Sequence, residues 1–142
     1  MQYNLQRSLA NSLEVVAQTL TAQSDRLLEK EVGLSLTQFR LLCALTSGCC
    51  QRTIGEHLRL TPGAISRQVE LLRQRQLITR EANTENRREH VVALTAQGKE
   101  LVGQGSELLD TLYAQYFATL DPTVQGTLHT ALDELNVTPH HP

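Results

Sequence analysis

Apolar residues recur three or four apart near the start of the chain, at Leu5, Leu9, Leu13, Val16, Leu20 and Leu27, with polar residues between them. That spacing follows the 3.6-residue helical turn and predicts a long amphipathic helix from Tyr3 to about Glu29. Gly33 suits its end, because glycine enters the left-handed conformation without a steric penalty. Ser35 followed by Gln38 forms a capping box for a second helix, with Phe39, Leu42, Cys43 and Leu45 inward and an end near Ser47 and Gly48. A short third helix fits Gln51 to Leu58, with Ile54 and Leu58 inward and Gly55 admitting a close neighbour. Thr61 caps a fourth: its hydroxyl can accept a hydrogen bond from a free backbone N–H, and Pro62 is preorganised for the first helical position. Ile65, Val69 and Leu72 form the inward stripe of that helix.

Past Gln76 the period shortens to that of a strand. The runs "LITR" and "HVVAL" predict two short strands around the polar hairpin tip "EANTENRRE". Thr95 then caps a helix running through Leu101, Leu108, Leu112 and Tyr116, and Asp121 with Pro122 opens a last one carrying Val124, Leu128, Leu132 and Leu135. The order predicts a mainly α fold with a small β-hairpin wing, a winged helix-turn-helix with long N- and C-terminal dimerisation helices. Its parts are an N-terminal helix over 1–34, a winged lobe over 35–99 and C-terminal helices over 100–142. They are expected within one structural domain, since 142 residues supply one sizeable core and not two. The end helices carry apolar stripes that a thin winged lobe cannot cover. Burying them against a second copy predicts a homodimer, with an intrachain core as the alternative.

Charge sharpens the picture. The formal net charge is −2, yet from Gln51 to Lys99 nine basic residues stand against five acids, leaving that segment about +4 and the rest about −6. A basic middle between acidic arms suggests a polyanion partner for the middle alone. No run of about 18 apolar residues predicts a membrane span. The opening residues lack a basic region leading into an apolar one, so no signal peptide is expected and the cytoplasm is the expected compartment. Cys43, Cys49 and Cys50 are an odd, clustered set, which argues against a secreted disulfide framework.

With Ile65, Val69 and Leu72 inward, the fourth helix turns Pro62, Gly63, Ser66, Arg67, Glu70 and Arg73 outward. In a helix-turn-helix the second helix enters the major groove with its N-terminal residues nearest the base edges. Gly63 leaves backbone approach unblocked, Ser66 can contact a base or phosphate, and Arg67 carries a planar fork that matches guanine through two hydrogen bonds. Thr61, Arg73 and Arg75 fit phosphate contacts, which position the helix without reading sequence. The face taken alone would be a solvated surface; joined to the preceding helix and following ribbon it reads as a binding surface for double-stranded DNA. A protein-interaction adaptor that uses the winged lobe remains the alternative.

The stretches "LTPGAISRQVELLRQRQLI" and "NTENRREHVVALTAQGKEL", with the long flanking helices, resemble the MarR family of bacterial transcription regulators. Its wing commonly reads D-x-x-D-R-R, followed by a strand and L-T-x-x-G. Leu94 to Gly98 match that ending, and Arg87 and Arg88 stand at the two wing arginines. The specific motifs cover about Leu36 to Leu101. The resemblance implies a homodimer in which the N- and C-terminal helices interlock, each wing reaching an adjacent minor groove; a two-fold dimer predicts a pseudo-palindromic operator, and a repressor that occludes a promoter is the expected role. The resemblance also implies a small-molecule effector bound between the dimer helices and the DNA-binding lobe. Asn83 and Asn86 depart from the family's wing aspartates; a neutral bond from asparagine to arginine is about half as strong as a charge-assisted one.

Sensor chemistry is thinly represented. Cys49 and Cys50 lie where the third helix should start, a setting that can lower a thiol pKa and make them candidate oxidant sensors, although a small core filler is the more ordinary use of cysteine. Tyr113, Tyr116 and Phe117 are candidate lining for an effector pocket, with plain aromatic packing as the alternative. His57, His90, His129, His140 and His141 do not join cysteines at metal-finger spacing, so no metal or cofactor is expected. Neither a Gly-rich phosphate loop nor a nucleophile elbow occurs, and no enzyme activity is expected.

Overall fold

In the computed structural model the described residues are 4–47, 58–82, 85 and 90–137. They form α1 (Leu5–Val32), α2 (Leu36–Ala44) with a short 3-10 turn (Leu45–Ser47), α3 (Pro62–Gln74), β1 (Ile78–Ala82), β2 (His90–Leu94), α4 (Ala96–Tyr116) and α5 (Pro122–Val137). The expected third helix, but for Leu58, and most of the hairpin tip lie outside the described residues.

The chain divides into two compact units, Met1–Leu108 and Leu109–Pro142. The first thirteen residues of α4 therefore belong with the winged lobe, whereas the sequence reading places its division at residue 100.

In the first unit the helix ends form as their residues dictate. Asn4 accepts a hydrogen bond from the Arg7 N–H at the start of α1, and Gly33 ends that helix at φ 69°, a left-handed conformation that suits a residue without Cβ. The Ser35 and Gln38 capping box is reciprocal: Gln38 N–H donates to Ser35 Oγ at 3.1 Å and Ser35 N–H to Gln38 Oε1 at 3.2 Å. Asp25 of α1 adds a carboxylate oxygen 2.7 Å from the Leu36 N–H, where the positive end of the α2 dipole favours an anion. Thr61 caps α3 by accepting from the Ala64 N–H at 3.2 Å, with Pro62 opening the helix.

The core of this unit joins Leu34, Leu41, Leu42, Leu45, Ile65, Val69, Leu72, Leu77, Ile78 and Val92, with Val32, Leu58, Leu60, Leu94, Leu101 and Val102 packed around it. Each fully buried leucine or isoleucine contributes about 2 kcal/mol of apolar transfer. Ile65, Val69 and Leu72 are essentially inaccessible, as the 3.6-residue spacing predicts, so α3 is clamped by one face and leaves the other outside. Cys43 is only half-buried, less enclosed than Phe39 and Leu42 beside it on α2.

The two strands pair antiparallel, Ile78 opposite Leu94 and Ala82 opposite His90. The step from α3 into β1 is a Schellman ending: Gln76 N–H donates to Arg73 O, Leu77 N–H donates to Leu72 O, and Leu72 and Leu77 share the core. Gln76 sits at φ 61°, where glycine is usual. Gln76→Gly should therefore stabilise the fold by about 0.5–1 kcal/mol, since relief of left-handed strain outweighs the added freedom of the unfolded chain. The urea unfolding midpoint is the readout, and an unchanged or lowered midpoint contradicts it.

The second unit holds the remainder of α4 and α5. Asp121 caps α5 by accepting from the Thr123 N–H at 2.8 Å, with Pro122 at the first helical position. Val124, Leu128 and Leu135 of α5 are exposed at 47%, 36% and 53%.

Candidate nucleic-acid interface

The outward flank of α3 consists of residues that the cap and the core leave no choice but to face out. Thr61, Pro62, Gly63, Ser66, Arg67 and Arg73 are exposed, and Glu70 is half-exposed. Among the described residues a Cβ added at Gly63 would meet nothing within 4 Å, so no packing among them accounts for glycine there. Among the described residues Arg67 has no side-chain ion pair or hydrogen bond, and its guanidinium stays available to an external acceptor. Gln68, on the shoulder of the helix, receives a 3.2 Å hydrogen bond from Gln38, which ties α3 to α2.

The other two arginines expected at phosphates are engaged. Arg73 donates from Nε to Glu70 Oε2 at 2.9 Å and from Nη2 to Glu70 Oε1 at 2.6 Å. Gln74 adds a third donor to the same carboxylate at 3.2 Å. Hydrogen bonding from Arg73 holds the Glu70 carboxyl below its ordinary range, and Glu70 in turn holds the Arg73 guanidinium up, so the pair stays ionised. Arg75 donates from Nη1 to Gly33 O at 2.8 Å, fastening the end of α3 to the end of α1. The i, i+3 spacing of Glu70 and Arg73 was readable beforehand, whereas the Arg75 contact spans 42 positions and has no local signal.

Where β2 passes into α4, three bonds hold the wing to the lobe. Thr95 N–H donates to Leu77 O at 3.0 Å, Thr95 Oγ1 donates to Gln76 O at 2.7 Å, and the same oxygen accepts from the Gly98 N–H at 3.1 Å. Gly98 is buried with its α-carbon against the Leu77 carbonyl, and an added Cβ would collide with that oxygen. The L-T-x-x-G ending thus has a packing reason: threonine caps and anchors, glycine lets the backbones meet.

Several candidates fall elsewhere. Arg87, Arg88, Asn83, Asn86, Cys49 and Cys50 lie outside the described residues. Burial pushes the Cys43 thiol up, away from the thiolate that oxidation chemistry needs. Tyr113, Tyr116 and Phe117 are half-buried in the second unit, with Tyr116 and Phe117 packed edge to face at 5.1 Å. Among the described residues no cluster of three or more His, Cys, Asp or Glu could hold a metal ion, and no helix is long and apolar enough to cross a membrane.

Comparison with known proteins places this geometry. The family model for the MarR family matches residues 34–90, the stretch from the end of α1 to the start of β2. No curated protein sequence matches the chain. A transcriptional regulator (MarR family) from Rhodococcus sp. RHA1 superposes with a TM-score of 0.84 at 20% identity, over 99% of this chain and 100% of that one. CouR from Rhodococcus jostii RHA1, bound to p-coumaroyl-CoA, gives 0.81 at 20% identity over 99% and 100%. BpsR from Bordetella bronchiseptica, whose DNA binding is regulated by 6-hydroxynicotinic acid, gives 0.83 at 20% identity over 98% and 100%. At these identities the superpositions establish the fold alone, and the matched segment includes α2, α3 and β1. Over residues 34–90 the chain matches the MarR family, and its fold is the winged-helix fold of the MarR-family regulators on which it superposes.

Proposed function

We propose that the protein is a sequence-specific, double-stranded-DNA-binding transcriptional regulator that acts as a homodimer, represses by occluding its operator and responds to a small-molecule effector. The observation that carries the reading is the outer flank of α3, where a capped helix start, Gly63, Ser66 and an unengaged Arg67 stand on the face opposite a buried stripe. Such a helix can lie in the major groove with Arg67 reaching a guanine edge and the Thr61 end near a phosphate. Arg87 and Arg88 are assigned to the minor groove by the family resemblance. The exposed stripe of α1, Leu5, Leu9, Leu13 and Val16, supports pairing with a second copy. CouR bound to p-coumaroyl-CoA and BpsR regulated by 6-hydroxynicotinic acid support an organic effector here, with Tyr113, Tyr116 and Phe117 as candidate contacts. The activity is regulatory rather than enzymatic, and its setting is the cytoplasm.

Binding to genomic fragments selected by the protein itself tests this reading. Arg67→Ala should lose about 1–3 kcal/mol of discrimination between the selected duplex and a random one, because a bidentate base contact disappears. Arg88→Ala should weaken both duplexes alike and flatten the salt dependence by about one phosphate contact. Equal losses on both duplexes for Arg67→Ala overturn its base-reading role. Absence of any salt-dependent retention on duplex DNA overturns the regulator and favours an adaptor that binds protein.

A further inference from the structure

The outer flank of α3 carries an acid where a DNA-binding surface gains nothing from one. Glu70 lies one turn beyond Ser66, on the flank assigned above to the groove, with its side chain 41% exposed. Its two oxygens are occupied by Arg73 through the edge formed by Nε and Nη2, and by the Gln74 amide. Two parallel bonds between ions of opposite charge are among the strongest that side chains make, and here they need no long-range fold because the residues are three apart on one helix.

We propose that Glu70 withholds Arg73 from DNA phosphate and so lowers the sequence-independent part of binding, which is common to every duplex. This inference rests on the DNA-binding reading above. A guanidinium that neutralises a phosphate displaces condensed counterions, and that release drives non-specific affinity. Arg73 closed on Glu70 is half of a neutral pair and displaces none. A phosphate reaching for Arg73 must also approach the Glu70 carboxylate, which repels it. The contacts assigned to Ser66 and Arg67 are untouched by the pair, so base recognition is kept while every duplex loses part of its phosphate attraction. Ser66, Arg67 and Glu70 thus share one flank with different tasks: the first two favour the correct duplex, and the third weakens the hold on any duplex.

The test measures affinity of the full chain for a random-sequence duplex and for a selected genomic duplex across a salt series. Glu70→Gln keeps the size of the side chain and removes its charge. It should tighten random-duplex binding at low salt and steepen the salt slope by about 0.9, so that the ratio of affinities between about 50 and about 200 mM salt grows about three- to fourfold. The selected duplex should tighten by a similar factor. Arg73→Ala alone should change random binding little, and Glu70→Gln in that background should give less than half its effect.

An unchanged slope in Glu70→Gln, with the wild type still binding DNA in a salt-dependent way, overturns the proposal and leaves the regulator reading standing. Weaker binding to both duplexes shows instead that Glu70 orients Arg73 toward phosphate, which also overturns it. A full effect of Glu70→Gln in the Arg73→Ala background assigns the change to direct repulsion and removes Arg73 from the account. Failure of the wild type to bind any duplex strikes the regulator reading itself.

Discussion

Gly98→Ala should lower the stability of the folded chain by about 3 kcal/mol, a fall on the order of 10 °C in the unfolding midpoint. The new methyl group would be driven into the Leu77 carbonyl oxygen, with the Leu94 side chain 3.4 Å away. A flexible side chain could swing aside, but the obstacle is backbone held from both ends. Leu77 N–H is committed to the end of α3 and Leu77 O to the Thr95 N–H. To admit the methyl group the wing must move away from α4, and the Thr95 bonds to Gln76 and Leu77 must lengthen together. Gly63→Ala is the matched control, because its methyl group meets nothing and should leave the midpoint within about 0.5 kcal/mol or slightly raised. Thermal unfolding of both variants at equal protein concentration decides the matter. A Gly98→Ala chain as stable as the Gly63→Ala chain would mean that Leu77 yields freely.

Much of this architecture was legible because its determinants are local. A stripe such as Ile65, Val69 and Leu72 declares its own face, and the end signals of Gly33, Ser35, Thr61 and Asp121 each act within five residues. The outward positions of α3 followed from the inward ones by simple rotation about the helix. Contacts that join distant segments left no such trace: Asp25 reaching the start of α2, Arg75 reaching the end of α1, and the Leu77 carbonyl seated on Gly98. Arg73 and Arg75 looked equivalent as two basic residues past the reading positions. Folding separates them, since one is neutralised on its own helix and the other is spent as a strut. The Gln76 turn was hidden for a different reason. Its left-handed backbone is imposed by the Schellman bonds and the burial of Leu77, and a glutamine gives no hint of it.

The most disruptive change to the proposed assembly is predicted at the start of α1. Leu5, Leu9, Leu13 and Val16 recur at helical spacing and remain 53%, 54%, 40% and 38% exposed. A row of that length costs apolar hydration at every turn, and covering the half of each leucine that remains exposed against a second copy would recover about 1 kcal/mol apiece. Leu9→Glu with Leu13→Glu should therefore convert a dimer into a monomer by sedimentation. The core of the winged lobe should stay folded, because its buried residues lie elsewhere in the chain. DNA binding should suffer far more than any single lost contact explains. Two linked heads engage two half-sites with the second step intramolecular, and separating them should weaken binding to the selected duplex about 100-fold or more. Random duplex, bound chiefly through phosphate charge, should lose less. A wild type that sediments as a monomer, or a double variant that stays dimeric, would show that this stripe is not the seam between copies.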